Sequence, residues 1–316
     1  MPKYSVIIPV FNRPQEIGEL LQSLTAQSYK DFEVLIVEDG STRTSEAVYE
    51  TFSKVLAVRY FFKQNSGPGP SRNYGFANAK GEYFIVFDSD CVIPPAYFES
   101  VEARMVADPL DMWGGPDSGR VDFTPLQQAM GYTMSSVLTT GGIRGARRQS
   151  FQPRSFNMGL SRKVFEATHG FKFDRFAEDI ELSIRASKLG FKVGLIESAF
   201  VYHKRRTTLG EFFRQVSNFG KGRVLVGKKH PGTIKPTHWF PAFFLLGLIA
   251  VPFLLVFTPV IGSVGAVGYA LYLIAIFVDS LRTVGNLWVA ILSVPSAVVQ
   301  LMGYGYGFLK AYFIKI

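Results

Sequence analysis

Cysteine is almost missing from this chain: Cys91 is the single one in 316 residues, so no internal disulfide can form, and the usage suits a reducing compartment. His169, His230 and His238 show no ligand spacing with one another or with that cysteine, which leaves no cysteine–histidine zinc motif to read. No internal repeat and no low-complexity linker breaks the chain, and Met1-Pro2-Lys3 leads into a strand pattern without a signal-peptide profile. Charge is absent from two long stretches, Trp239 to Ile261 and Gly262 to Val278, and a third apolar run extends from about Val284 to Leu309. What remains is a chain long enough for one sizeable domain with an appendage, carrying a net charge of +9.

The first part alternates strand and helix signals. Tyr4 to Val10 is a β-rich run containing Pro9, and after Asn12-Arg13-Pro14 a helical spacing follows through Ile17, Leu20, Leu21 and Leu24. Val34 to Val37 closes on Glu38-Asp39-Gly40-Ser41, and a helix pattern resumes from Thr44 to Phe52. A third strand, Ala57 to Phe62, leads through the glycine- and proline-rich segment Asn65 to Gly75 and a helix to the apolar run Tyr83 to Phe87. Such alternation predicts a doubly wound, mostly parallel sheet, in which ligands bind outside the carboxyl ends of the strands. Asp39, Asp88 and Asp90 all fall on that edge.

Phe87-Asp88-Ser89-Asp90 is the most informative stretch. Alternate residues of an extended chain share a face, so both carboxylates can converge on one cation. A hard divalent ion is usually held by one or two carboxylates plus substrate phosphates, which points to nucleotide-diphosphate chemistry. Asp-Ser-Asp also suits a plain turn, and it is the context that favours a site. Glu178-Asp179 opens a further helical pattern through Ile180, Leu182, Ile184, Arg185 and Leu189, where acidic residues suit the helix dipole as well as catalysis.

Val6-Ile7-Ile8-Pro9-Val10-Phe11-Asn12, Val37-Glu38-Asp39-Gly40-Ser41, Asn65 to Gly75, Asp88-Ser89-Asp90 and Glu178-Asp179 with Leu182 and Arg185 stand in one order along the chain. Together they resemble family 2 glycosyltransferases of the GT-A fold, from about Tyr4 to about Lys229. The resemblance implies an α/β nucleotide-diphospho-sugar transferase fold and inverting, hexosyltransferase-type chemistry. It places Phe11 and Asp39 at the base pocket, with Asp39 accepting from a uracil imide, and Pro9 among the nucleotide-sugar contacts, so that a UDP-sugar is the favoured donor. Arg72 would meet the pyrophosphate, the Gly-Pro-Gly backbone would approach the ligand, and Asn157 would contact sugar or acceptor. Mg²⁺ or Mn²⁺ would sit on Asp90, with Asp88 on the ribose or a metal-bound water and His203 a third metal or diphosphate contact. Asp179 would be the general base, with Glu178 its neighbour and second candidate. Trp113-Gly114-Gly115-Pro116 and Thr139 to Arg148 would be loops flanking the site, their basic residues facing an anionic acceptor or solvent.

The composition shift near Trp239 divides the chain into a catalytic domain, residues 1–229, and a membrane region, residues 230–316, of two or three hydrophobic helices. His203 to Lys229 is rich in Lys and Arg, and Phe212, Phe213, Val216 and Phe219 form an apolar stripe, as expected of an interfacial helix over about 207–229. Such a juxtamembrane excess predicts a multi-pass inner-membrane protein with a cytoplasmic catalytic domain and no nucleic acid partner. The third apolar run, with Pro295 and glycines, either spans with a kink or lies partly at the interface. The Q-x-x-R-W motif of processive synthases has no counterpart here: the matching region reads Arg214-Gln215-Val216-Ser217-Asn218-Phe219. The expected reaction is transfer of one sugar to a lipid-linked or other glycan acceptor in envelope polysaccharide synthesis. A polyprenyl-phosphate glycosyltransferase and a catalytically silent membrane scaffold are the alternatives.

Overall fold

β1 (Tyr4–Val10), α1 (Pro14–Thr25), β2 (Phe32–Asp39), α2 (Glu46–Phe52), β3 (Val58–Lys63), α3 (Pro68–Asn78) and β4 (Tyr83–Phe87) realise the expected alternation. The computed structural model describes residues 1–118, 123–140 and 151–314. Gly141 to Arg148, read above as part of a basic loop, and Lys315 lie outside the described residues. The chain then continues through β5 (Cys91–Val92), α4 (Tyr97–Ala107), β6 (Met112–Gly114), β7 (Asp117–Ser118), α5 (Pro125–Ser135), α6 (Val137–Thr140), β8 (Asn157–Ser161) and α7 (Arg162–Thr168). Its last elements are α8 (Glu178–Lys188), β9 (Val193–Leu195), β10 (Val201–His203), α9 (Leu209–Lys229), α10 (Phe240–Phe257), α11 (Pro259–Val284) and α12 (Leu287–Phe313).

Two compact units result: Met1–Arg120 with Arg147–Lys204, and Val121–Ala146 with Arg205–Ile316. The second therefore takes in α5, α6 and α9, which the composition shift grouped with the catalytic residues.

In the first unit a seven-stranded sheet has the order β3-β2-β1-β4-β8-β6-β9. β1 runs parallel to both β2 and β4, whereas β8 is antiparallel to β4 and β6. Successive strands are added on one side of β1 and then, with β4, on the other. That reversal opens a crevice at the carboxyl ends of β1 and β4. Ile17, Leu20, Leu21 and Leu24 of α1 are fully buried against Val6, Ile8 and Ile36, the face the helical spacing foretold. A smaller sheet, β5-β10-β7, pairs His203 with Cys91 and so brings a residue late in the chain beside the Asp88-Ser89-Asp90 loop.

The glycines of the Asn65 to Gly75 segment serve protein packing: a Cβ on Gly69 would lie 2.1 Å from the Phe173 carbonyl oxygen, and one on Gly67, whose φ is +98°, 2.8 Å from that of Asp174. This backbone closely approaches the segment that leads into α8. The Gly69 amide seals the contact by donating to the Asp174 carbonyl at 2.9 Å.

In the second unit Phe212 and Val216 of α9 are buried against Met130 and Met134 of α5, while Phe219 is partly exposed. The apolar stripe is divided between a protein contact and an outward face. α10, α11 and α12 are each long and apolar enough to cross a membrane. The first run is cut shorter than its composition: Thr258 precedes a proline, which disfavours helical backbone there, and Pro259 starts the next helix.

Gly69→Ala should destabilise the protein by about 1–3 kcal/mol, the usual cost of forcing extra volume into a packed contact. Thermal unfolding in detergent would show this as a lowered midpoint, and an unchanged midpoint would contradict the close approach.

Candidate active site

The carboxylates at the sheet edge are paired with cations in distinct ways. Asp39, buried at the end of β2, accepts from the Lys63 ammonium at 2.5 Å and from the Ser66 and Gly67 amides, each at 2.9 Å. Burial pushes its carboxyl upward, but Lys63 and the two amides outweigh that and hold it below the ordinary range. Both oxygens of Asp39 fasten the loop before α3, so here the residue organises the rim of the crevice. Glu38, fully buried, anchors the other side by accepting from Ser41 and from the Ser45 amide at 2.7 Å, the latter at the start of α2. Asn12, at φ 56°, accepts from the Thr42 and Arg43 amides at 2.9 Å and ties the loop after β1 to the loop after β2. Phe11 beside it is half exposed, open to stack on a planar group, and Pro9 is the partly buried residue before the end of β1.

Asp88 and Asp90 diverge instead of converging. Asp90 is buried, with one oxygen 2.6 Å from the Arg13 guanidinium and the other 3.1 Å from His203 Nε2. Burial opposes its charge, yet His203 and Arg13 hold it ionised, below the usual range. The same pairing raises His203 although burial alone would lower it. Stacking on Phe156, with ring centroids 5.1 Å apart, fixes the imidazole plane. Asp88 accepts from Arg72 at 2.8 Å.

Arg72 is buried, and its other terminal nitrogen donates to Glu178 at 2.7 Å. Its guanidinium lies 5.4 Å from the Phe171 ring centroid. The fork expected for a pyrophosphate is therefore engaged by two carboxylates, one after β4 and one opening α8. Burial pushes the Glu178 carboxyl up to about 7, against the pull of Arg72 and with a further upward push from Asp179. Asp179 is only half buried and accepts from the Ser155 amide at 3.3 Å. Ala177, just before the pair, has left-handed backbone at φ 54°, a strained position for alanine that aims the first turn of α8.

Asn157 stands apart from these. It is fully buried, accepts from the Tyr97 hydroxyl at 2.7 Å and donates to the Ala199 carbonyl at 2.8 Å. Its amide pins β8 inside the fold. Arg13 and Ser155 were not singled out from the sequence. Arg13 carried one readable signal, a cation just past the end of β1 on the edge where the acids gather, whereas Ser155 carried none.

Asp90, Cys91 and His203 are the grouping of possible metal ligands among the described residues. Adjacent ligands of an octahedral ion with bonds of about 2.1 Å stand about 3 Å apart, and the Asp90 oxygen and His203 Nε2 meet that spacing. Cys91 does not suit a hard ion: burial keeps its thiol protonated. The residues present fit Mg²⁺ or Mn²⁺ at Asp90 and His203, with Asp88 turned to Arg72.

Comparison with known proteins follows the same lines. The family model described as "Glycosyl transferase family 2" matches residues 5–168. An uncharacterised glycosyltransferase of Rickettsia felis is 44% identical over 103 residues, 33% of this chain and 17% of that protein. A Campylobacter jejuni GalNAc(5)-diNAcBac-PP-undecaprenol beta-1,3-glucosyltransferase is 34% identical over 93 residues, 28% of this chain and 30% of that one. The chain thus spans well under half the length of these relatives. Among solved structures, the mannosyltransferase PcManGT of Pyrobaculum calidifontis, in complex with GDP-Man and Mn²⁺, aligns over 100% of this chain and 88% of its own with TM-score 0.63 and 17% identity. S. aureus TarS 1-349 in complex with UDP-GlcNAc aligns over 98% and 91% with TM-score 0.54 and 18% identity. The fold is GT-A.

The Glu178 carboxyl generates a pH prediction. Its folded value, about 7, lies above its ordinary 4.5, so between those values the folded state binds the extra proton and stability falls as pH rises. Melting wild type and Glu178→Gln in parallel should show the variant gaining on wild type as pH climbs from about 4.5 to about 7, with no further relative change above. Parallel curves across that window would remove the raised acid.

Proposed function

Because the chain belongs to glycosyltransferase family 2, we propose that it is an inverting enzyme that transfers a single sugar from a nucleotide-diphosphate donor, a UDP-sugar by preference, to a hydroxyl of a lipid-linked glycan. The observation that carries this reading is the asymmetry of the pair at the start of α8. Glu178 is buried and held by Arg72, whereas Asp179 is half buried and free to meet solvent on the first turn. In an inverting transfer the acceptor hydroxyl loses its proton as it attacks the anomeric carbon opposite the departing diphosphate. Asp179 is the carboxylate suited to take that proton, and Glu178 with Arg72 sets its position.

Donor binding follows from the same edge. Phe11 offers an exposed aromatic face for the base, and the loops tied by Asp39 and Asn12 form its surroundings. Asp90 and His203 would hold Mg²⁺ or Mn²⁺, which when bound supplies positive charge for the diphosphate leaving group. Arg13 and Arg72 add fixed positive charge at either end of the Asp88 to Asp90 loop. The lipid-linked acceptor is supported by the undecaprenol-linked substrate in the name of the Campylobacter relative and by the apolar helices of the second unit. The basic stretch from Lys204 to Lys229 supports a cytoplasmic catalytic unit.

Asp179→Asn keeps size and removes basicity. It should lower turnover of the donor onto extracted lipid acceptor by about 10²-fold or more while leaving nucleotide binding within a few fold; unchanged turnover would exclude it as base. Asp90→Ala should abolish divalent-dependent turnover, and full activity of the wild type in excess chelator would refute a metal at Asp90 and His203.

A further inference from the structure

The second unit contains three helices long and apolar enough to span, but they are not equivalent. Of the most apolar window, 17% is buried in α10 and 11% in α11, against 44% in α12. α10 and α11 form an antiparallel hairpin from a tip near Gly262 down to Phe240, whose ring packs on Tyr272. Near its tip a Cβ on Gly262 would lie 2.3 Å from the Leu255 amide nitrogen; lower down, Tyr269 donates to the Phe244 carbonyl at 2.6 Å. The open end of the hairpin is where α10 begins, after Trp239 and opposite Tyr272, and α11 continues past it to Val284.

Among the described residues, α12 meets the part of α11 beyond this open end and the start of α10. Ser293 and Ser280 share a hydrogen bond of 2.8 Å, and Ala297 packs with Ile276. A Cβ on Gly305 would lie 2.3 Å from the Pro241 carbonyl oxygen. Phe308 and Tyr312 have ring centroids 4.8 Å and 4.9 Å from that of Trp239. From Ser293 to Tyr312 the helix advances about 28 Å at 1.5 Å per residue. A helix running up beside the hairpin would by then have reached the tip near Gly262. α12 instead crosses from the end of α11 to the start of α10.

The other partners of α12 stand at the same level. Cβ atoms on Gly303 and Gly307 would lie 2.6 Å from a Val216 side-chain carbon and 2.0 Å from the Ser217 carbonyl oxygen, so α9 lies directly on α12. Lys228 of α9 donates to the Ala311 carbonyl at 2.8 Å, in the last turn of α12. α9 bears Arg214, Lys221, Arg223, Lys228 and Lys229, each too costly to place in hydrocarbon. Gln300 donates to the Thr133 carbonyl of α5 at 3.0 Å, and Asp279 near the end of α11 accepts from the hydroxyls of Tyr132 and Ser136. Away from these contacts α12 turns outward Trp288, Ile291 and Tyr306, an apolar and aromatic row suited to the headgroup boundary.

We propose that α12 lies in the membrane interface with α9, so that α10 and α11 make the only crossings among the described helices, and that α9 and α12 form a platform whose partner is the anionic headgroup layer. Arg282, Lys310 and the basic residues of α9 then share one side of the bilayer, which removes the charge conflict a third crossing would create.

The test uses the full chain in cells, with Cys91→Ser as background and an impermeant maleimide as label. Ser263→Cys near the hairpin tip and Lys310→Cys near the end of α12, both exposed positions, should label from opposite sides of the membrane. Labelling of both from the same side would overturn the proposal, since a spanning α12 would carry Lys310 to the side of Ser263. A second measurement guards against altered folding. Nitroxides at Ile291, Val298 and Tyr306, in protein reconstituted into vesicles containing anionic phospholipid, should report one shallow depth by oxygen and nickel collision. A depth that passes through the bilayer midplane along that row would equally overturn it.

Discussion

Arg72 is the constraint on which the rest of the site depends. A buried guanidinium is tolerable only when its charge is matched, and here the match comes from Asp88, just past β4, and Glu178, the first residue of α8. The guanidinium is the shared partner of both acids, so removing Arg72 would leave Asp88 and the buried Glu178 without the cation that joins them. The bridge therefore fixes where α8 begins relative to the sheet edge, and with it the position of Asp179. The glycine contacts at Phe173 and Asp174 and the left-handed Ala177 act on the same few residues from the other side. Their cost in backbone freedom is borne by packing that has no evident purpose except to hold that turn.

The two acids of the Asp88 to Asp90 motif are separated by this arrangement. One belongs to the Arg72 bridge, while the other is set into a pocket with His203 and Arg13. An anion buried as deeply as Asp90 needs compensating charge whether or not an ion is bound, which explains why Arg13 reaches across from the start of α1. The small β5-β10-β7 sheet then has a clear physical role: its pairing of His203 with Cys91 delivers the imidazole to Asp90.

Much of this was legible beforehand because it rests on periodicity. The apolar run of β1, the i, i+3, i+4 face of α1 and the acids at strand ends each occupy the elements expected of them. Side-chain partnership was not legible. Asn157, Arg72 and the Gly67-Pro68-Gly69 segment have residue types suited to ligands, and each is turned inward by a partner distant in sequence: Tyr97 and Ala199, Glu178, and Phe173 with Asp174. Composition also drew the boundary between units by hydropathy alone. α5, with its threonine cap and methionine pair, has no long apolar run, yet it packs with α9 and α12 because its buried face matches theirs.

The third apolar run shows the same limit from the membrane side. Length and hydropathy treat α10, α11 and α12 alike, since both scales count residues without asking what faces them. The glycines at 303, 305 and 307 would be read as weak points in a span. In the structure they are the points of closest approach, where α12 lets the backbones of α9 and α10 come within reach. Close backbone packing of this kind uses small residues where hydrophobic burial offers little driving force, as it does among helices already in lipid. A helix committed to such contacts on one face has only its other face left for lipid, as the proposed placement of α12 beside α9 requires.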